Sequence, residues 1–330
     1  MTTHPSLSPR FIDLSSASGQ APGNVQTELT ASLLAAQAHI APKYFYNALG
    51  SKLFEAITLL DEYYPTRTEA RIFASHHSAI AQAVEHAGIR HARLIDLGAG
   101  NCAKSAALIP HLKPQQYVPV DISVDFLRAA VGNLQASFPA LDIIGVGMDF
   151  SSTLVLPNAV PSDNRVFFYP GSSLGNFSPL DALHFLQQLS NPAQGNASGL
   201  LLGIDLVKDT TVLQAAYDDA AGVTAAFNKN VLHHINDLLG TDFDLRQWRH
   251  VAMFNTQESR IEMYLETITR TTVRWPGHER HFAEGERIHT ENSYKYTLAS
   301  ITALLQQAGF SRVQHWTDAQ HWFGVLWAAR

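Results

Sequence analysis

RLIDLGAGNCA (93–103) carries the decisive pattern. A short apolar run, Arg93–Leu97, is closed at once by Gly98 and Gly100 and leads into a helix-forming stretch, Ala103–Leu112. An apolar run of about five residues bounded by glycine reads as a buried strand. Glycine lets the backbone turn tightly there and approach a ligand closely. The same rhythm repeats downstream. Tyr117–Val120 ends at Asp121 before a helical Ser123–Phe138, and Ile143–Met148 ends at Asp149. Arg165–Tyr169 ends at Pro170-Gly171 ahead of a helical Leu180–Leu189, and Leu200–Leu206 is a fifth run. Strands alternating with helices give βαβ units. The expected fold class is therefore α/β, with a parallel Rossmann-like sheet covered by helices on both faces.

Outside this block the pattern changes. Residues 1–28 are rich in Ser, Pro, Gly and Asn and read as an arm or loop. Thr30–Ile40, Ser51–Leu60 and Thr66–His86 are helical. After Lys208 the alternation stops. Thr211–Leu239 predicts one or two helices, and Arg260–Arg274 (RIEMYLETITRTTVR) predicts antiparallel strands. Leu298–Ala308 is helical, and Val313–Trp316 with Phe323–Ala328 forms a closing strand pair. The expected organisation is an arm (1–28), an α/β domain (29–210 and 295–330), and an inserted α+β domain (211–294) against which the arm can pack.

Composition excludes several classes. The 330 residues are 46% hydrophobic and 16% charged, enough apolar material for a large core. Net charge is −6 with no long basic run, which argues against a nucleic-acid partner. No apolar stretch is long enough to span a membrane, and the N-terminus lacks the apolar core of a secretory signal. A cytoplasmic monomer acting on a small molecule is expected. Cys102 is the only cysteine, so no disulfide or cysteine-based zinc site can form within the chain. The 16 histidines are scattered, and neither His76-His77 nor His233-His234 has helical ligand spacing, so no metal is expected.

In open α/β sheets, ligands bind beyond the carboxyl ends of the strands. Those ends carry Gly98 and Gly100, then Asp121, then Asp149-Phe150, then GSSLGN (171–176). Asp121 can accept hydrogen bonds from ribose hydroxyls. Asp149 can accept from an adenine amine while Phe150 stacks on the ring. Lys104, one turn into the helix, can pair with a ligand carboxylate. GAGNCA alone also satisfies the dinucleotide pattern, so an NAD-dependent oxidoreductase is the distant alternative. The anion partner for Lys104 and the adenine seat favour S-adenosylmethionine. Taken singly, each feature has a plainer reading, with GAGN as a tight turn and Asp121 as a helix cap.

Several segments closely match one family. They are YFYNALGSKLFEAITLLDEYYPTRTEA (44–70), LIDLGAGNCAKS (94–105), PVDIS (119–123), YPGSSLGNFSP (169–179), GIDLVKD (203–209), AAYDDA (215–220), RIEMYLE (260–266) and IHTENSYKY (288–296). The chain resembles the L-histidine Nα-methyltransferases of ergothioneine biosynthesis. That resemblance implies a class I S-adenosylmethionine (SAM) methyltransferase domain with an inserted substrate domain. It implies transfer of methyl groups from SAM to the α-amine of L-histidine, three times, to give hercynine, with S-adenosylhomocysteine as the spent cofactor. Gly98, Lys104, Asp121, Asp149 and Phe150 fall on positions that hold the cofactor, and Tyr46 falls near the transferring methyl. Tyr63, Asn176 and Tyr217 fall on positions that hold the amine and carboxylate. Glu291 and Ser293 fall on the pair that reads the imidazole, and Met263 on the wall of that pocket. The departures are Asn292, where the middle residue of E-x-S is usually apolar, and the longer arm.

These residues suit the chemistry implied. Methyl transfer from a sulfonium is an in-line displacement, so the protein needs clamps more than a strong acid or base. A neutral imidazole has one N–H donor and one acceptor nitrogen, which Glu291 and Ser293 can serve. An indole lacks the ring acceptor, so the pair argues for imidazole over the close alternative, a methyltransferase of the same family acting on another aromatic amino acid such as a tryptophan derivative. Taken alone, Tyr63 and Met263 read as core, Asn176 or Ser178 as a helix cap, and Glu291 with Ser293 as a solvated turn. A binding module without catalysis is the remaining class.

Overall fold

The computed structural model describes residues 7–14, 22–151, 153–191 and 198–330. In chain order its first strands are β1 (Arg10–Asp13), β2 (Arg93–Leu97), β3 (Gln116–Asp121), β4 (Asp142–Gly147), β5 (Arg165–Tyr169) and β6 (Ser198–Asp205). The remainder are β7 (Trp248–Asn255), β8 (Arg260–Thr267), β9 (Thr271–Trp275), β10 (His278–Phe282), β11 (Arg287–Tyr294), β12 (Arg312–Thr317) and β13 (Phe323–Ala329). The helices are α1 (Pro22–Leu34), α2 (Ala48–Ile57), α3 (Tyr64–His86), α4 (Ala103–Leu112) and α5 (Val124–Ser137). They continue with α6 (Pro179–Ser190), α7 (Thr210–Ala215), α8 (Val223–Leu239) and α9 (Leu298–Gln307). Two compact units result, Met1–Ser18 with Pro65–Leu206 and Tyr296–Arg330, and Gly19–Tyr64 with Val207–Lys295.

The first unit is built on one eight-stranded sheet in the order β1-β4-β3-β2-β5-β6-β13-β12. The pairings from β1 through β6 are parallel, and β13 runs antiparallel to β6 and β12. Every residue of β5, β6 and β13 is buried, as a sheet covered on both faces requires. Strand order reverses around β2, whose neighbours are β3 and β5. A ligand crevice forms where the order reverses, beyond the strand ends. The glycine turn after β2 sits there.

β1 corrects the reading of residues 1–28 as an arm or loop. Arg10–Asp13 pairs in parallel with Ile144–Gly147. Arg10 holds Asp142 at 2.7 Å, and Phe11 lies against Gly145 under the Arg128 guanidinium, 4.0 Å from the ring centre. Four residues with only two apolar members are too short to betray a strand by periodicity. The helix α1 also begins inside the expected arm, at Pro22. Residues 1–6 and 15–21 of that arm lie outside the described residues.

The second unit holds a three-stranded antiparallel sheet, β11-β8-β7, and a β9–β10 hairpin. Its main helix, α8, packs against α2, β7 and β8. Residues 29–64, which the sequence reading gives to the α/β domain, pack here instead. The Asn230 amide donates to Asn47 Oδ1 at 2.9 Å, and Phe45 stacks on Phe227 at 4.6 Å. His289 on β11 exchanges backbone hydrogen bonds with Ala38 and Ile40. A bulge interrupts β11 between His289 and Glu291: His289 faces Tyr264, Glu291 faces Met263, and Thr290 is the extra residue.

Within the first sheet, Gly199 on β6 lies directly against the Trp327 ring of β13. A Cβ there would approach Trp327 Cη2 to 2.2 Å. Gly199→Ala is expected to lower stability by about 1–3 kcal/mol, the usual cost of overpacking, and Trp327→Leu in the same chain should recover part of it. Thermal melts of the three variants check this, and an unchanged melting temperature in Gly199→Ala would contradict the packing.

Candidate active site

In the first unit the cofactor residues read from the sequence come together around the turn after β2. Gly98 and Gly100 have φ of 72° and 52°, the left-handed region in which glycine is not penalised. The Gly98 and Ala99 amides donate to the Val120 carbonyl. The Gly100 amide donates to Asp121 Oδ2 at 2.9 Å, and the Ser123 amide to Oδ1 at 2.8 Å. Each carboxylate oxygen keeps a lone pair for a ligand hydroxyl. Burial pushes the Asp121 carboxyl above its ordinary range, and the backbone amides oppose that. The Phe150 ring reaches within 3.9 Å of the point where a Gly98 Cβ would stand, while nothing lies within 4 Å of such a point at Gly100. This cradle of bare backbone, a two-oxygen acceptor and an aromatic face fits an adenosyl group. Asp149 takes both the amide and the hydroxyl of Ser151 on Oδ1.

Lys104 has a partner the sequence reading did not foresee. Its Nζ lies 2.6 Å from Glu69 Oε2, and the Glu69 side chain is 1% exposed. Glu69 Oε1 accepts from the Gly171 amide at 2.8 Å. A Cβ at Gly203 would come within 2.0 Å of that oxygen, and one at Gly171 within 2.8 Å of the lysine nitrogen. Glu69 belongs to the EYYPTRTEA stretch, and its spacing from Lys104 gives no local hint of the pair. The ammonium keeps further donors for a ligand carboxylate, now with its charge compensated by Glu69. Beneath the turn, Asp96 accepts from Tyr117 at 2.7 Å and from Ser105, and burial still pushes its carboxyl up to about 6. Asn176 also lies in this unit, at the end of a single turn after β5 (Ser173–Asn176). The cap of α6 is Ser178, which accepts from the Asp181 amide, so Asn176 is not needed for capping.

The second unit holds the remaining residues that the sequence reading expects to meet the substrate. β11 places Glu291 and Ser293 on one face, with Met263 and Ile261 of β8 opposite them. Both are buried, Glu291 at 9% exposure and Ser293 at 3%, which overturns the reading of this segment as a solvated turn. Ser293 Oγ lies 2.8 Å from Tyr217 Oη, and the Tyr217 ring meets Tyr63 edge-on at 6.3 Å. Tyr63 continues to Phe54, and Phe54 to Tyr46 and Phe227, in a chain of ring contacts. Burial pushes the Glu291 carboxyl up to about 7, and the Lys295 ammonium opposes it. Lys295 was missed by the sequence reading. It donates to Tyr217 and to Ser293 at 2.9 and 2.8 Å and is 3% exposed. The E-x-S-x-K alternation was the available signal.

Among the described residues no group of three or more His, Cys, Asp or Glu could hold a metal ion, and no helix is long and apolar enough to cross a membrane. A doubly wound sheet with a glycine turn and acidic strand ends at its reversal point, carrying an α+β insertion, is a Rossmann-like class I methyltransferase fold, the SAM-dependent class. Comparison narrows this. The chain belongs to the histidine-specific, SAM-dependent methyltransferase family, whose model matches residues 25–330. It is 40% identical over 313 residues to the histidine N-alpha-methyltransferase of Mycolicibacterium smegmatis, covering 93% of this chain and 95% of that one. It is 38% identical to the Mycobacterium tuberculosis enzyme of the same name, covering 88% and 90%. Ergothioneine biosynthesis protein 1 of Neurospora crassa is 28% identical, with 82% of this chain aligned to 31% of that protein.

The Glu291 environment has a measurable consequence. A carboxyl whose folded value, about 7, lies above its ordinary 4.5 stabilises the fold below 4.5 and loses that contribution as pH rises through 7. The interval is worth roughly 3 kcal/mol. In ligand-free protein, the melting temperature of Glu291→Gln should therefore fall less between pH 5 and pH 8 than that of the unaltered chain. Parallel slopes would show that Glu291 is not in a dry environment.

Proposed function

We propose that this chain transfers methyl groups from SAM to the α-amine of L-histidine, in three rounds, to give hercynine. The observation that carries the reading is the buried Glu291 carboxylate set two residues from the Ser293 hydroxyl on one strand face. Among the described residues nothing donates a hydrogen bond to Glu291, so a ligand N–H would satisfy it. A neutral imidazole offers an N–H and an acceptor nitrogen, the complement of this pair. Leaving such buried groups unmatched penalises a wrong side chain by about 10⁴ to 10⁵.

In this reading Met263 walls the imidazole pocket. Asn176 and Tyr217 hold the substrate carboxylate, and Tyr63 steers the amine. Gly98, Lys104, Asp121, Asp149 and Phe150 hold SAM, whose sulfonium supplies an electrophilic methyl when bound. Tyr46 borders the reacting methyl. The protein's contribution is orientation, which can account for roughly 7–11 kcal/mol of such a barrier. Three rounds turn the amine into a quaternary ammonium that no longer donates hydrogen bonds. The ring chain Tyr46, Phe54, Tyr63 and Tyr217 supports that end point, because aromatic faces attract quaternary ammonium groups.

Calorimetry on two variants separates the two ligand sites. Glu291→Ala should weaken histidine binding by ~1–3 kcal/mol and leave S-adenosylhomocysteine affinity nearly unchanged. Asp121→Ala should impair the cofactor first. Histidine binding that survives Glu291→Ala would refute the imidazole assignment. Mass spectrometry of histidine incubated with enzyme and SAM should show three successive methyl additions, and accumulation of a monomethyl product would refute the third and second.

A further inference from the structure

Lys295 follows β11, and the alternation of residues 291, 293 and 295 puts it on the side of Glu291 and Ser293. Its Nζ, Tyr217 Oη and Ser293 Oγ form a triangle with edges of 2.9, 2.8 and 2.8 Å. An ammonium only donates, so Lys295 occupies one acceptor position on each hydroxyl. On the third edge either hydroxyl could give the proton. A phenol, with an ordinary pKa of about 10, is a far stronger acid than an aliphatic alcohol, so Tyr217 gives and Ser293 receives. Ser293 then accepts twice, and its own proton is turned away from the triangle. Glu291, when ionised, only accepts.

We infer that Lys295 is a positioning residue that makes Ser293 a hydrogen-bond donor, so that the β11 face takes a neutral imidazole in one tautomer and excludes the imidazolium. The inference rests on the histidine reading above. An imidazolium carries two N–H donors and no acceptor, so one of them would meet a serine whose acceptor positions are filled, beside a buried ammonium. The titratable groups nearby are few. Glu291 shares the strand, and Tyr63 packs on the Tyr217 ring. His250 of β7 donates from Nε2 to the Tyr217 carbonyl and takes the Asn228 amide on Nδ1. Burial holds it below its ordinary value, with Asp218 and Asp219 beside it. Arg260, Glu262 and Tyr264 alternate onto the other face of the sheet, as do Asn292 and Tyr294.

The test is histidine affinity by calorimetry from pH 8 to pH 5.5, with S-adenosylhomocysteine affinity and thermal melts reporting the fold. In the unaltered protein the dissociation constant should rise by more than tenfold, and up to about a hundredfold, per pH unit below about 6.5, because protonation of the free imidazole and of Glu291, whose carboxyl is pushed up to about 7, both oppose binding. Lys295→Met should bind at least ~10-fold more weakly at pH 8 and show a shallower rise toward acid, because no cation then opposes an imidazolium beside Glu291. Lys295→Arg should keep the original slope. An unchanged slope in a folded Lys295→Met protein overturns the inference. If that variant does not fold, the unaltered protein decides, since a rise of no more than about tenfold per pH unit, which protonation of Glu291 alone would give, overturns it. Histidine binding intact in Glu291→Ala would sink the substrate reading itself. Loss there combined with an unchanged Lys295→Met slope removes only the role of the lysine.

Discussion

The ion pair between Glu69 and Lys104 ties together the elements around the glycine turn where the cofactor is expected to bind. Glu69 comes from α3, Lys104 from α4, the Gly171 amide from the loop after β5, and the space for the carboxylate from Gly203 on β6. A buried carboxylate is tolerated only when its charge and lone pairs are met, so the pair requires all four elements at their present spacing. It explains why two glycines outside the nucleotide-binding turn cannot carry a side chain. It also sets the electrostatics of the turn, because the cation nearest the expected ligand carboxylate is already half spoken for.

The second unit solves a different problem. The face that carries Glu291, Ser293 and Lys295 is polar yet buried, and Ser293, Tyr217 and Lys295 are each tied to the other two. Asn228 shows the principle in the scaffold, donating to His250 and to the Tyr264 carbonyl while accepting from Thr290. Such networks are costly when incomplete and rigid when complete. Glu291 is the conspicuous opening in an otherwise matched set. Desolvation without a hydrogen-bond donor is what lifts its proton affinity, and a ligand that donates to it would reverse that shift.

Much of the fold was legible in the sequence where burial on both faces leaves no choice of residue. β2 and β5 run to the residue as read, because an unbroken apolar run of that length, stopped by a glycine turn, fits a buried strand and little else. The residues expected to hold the cofactor stand at the ends of those runs, which is what singles them out in the sequence. β7, β10 and β11 were not legible. WRHVAMFN, HERHF and RIHTENSY mix charged and apolar residues, and β11 turns glutamate and serine inward, against the pattern that announces a strand. Pairings such as Glu69 with Lys104, or Lys295 with Tyr217, join residues far apart in the chain, and nothing in local spacing records them. Membership in the family of histidine-specific methyltransferases was legible from motifs, while the lysine inside one of those motifs acquired a role only once its neighbours were in place.

The bulge at Thr290 has a further meaning. In uninterrupted pairing, Thr290 would stand opposite Met263, and Glu291 would stand opposite Glu262. Thr290, Asn292 and Tyr294 would then point toward the pocket, and Glu291, Ser293 and Lys295 would join the outer surface. The strand thus spells two different words in its odd and even letters, and one surplus residue chooses which is read. Straightening the bulge with Thr290 retained would turn Glu291, Ser293 and Lys295 outward, whereas loss of Thr290 itself would leave Glu291 opposite Met263 and Ser293 opposite Ile261.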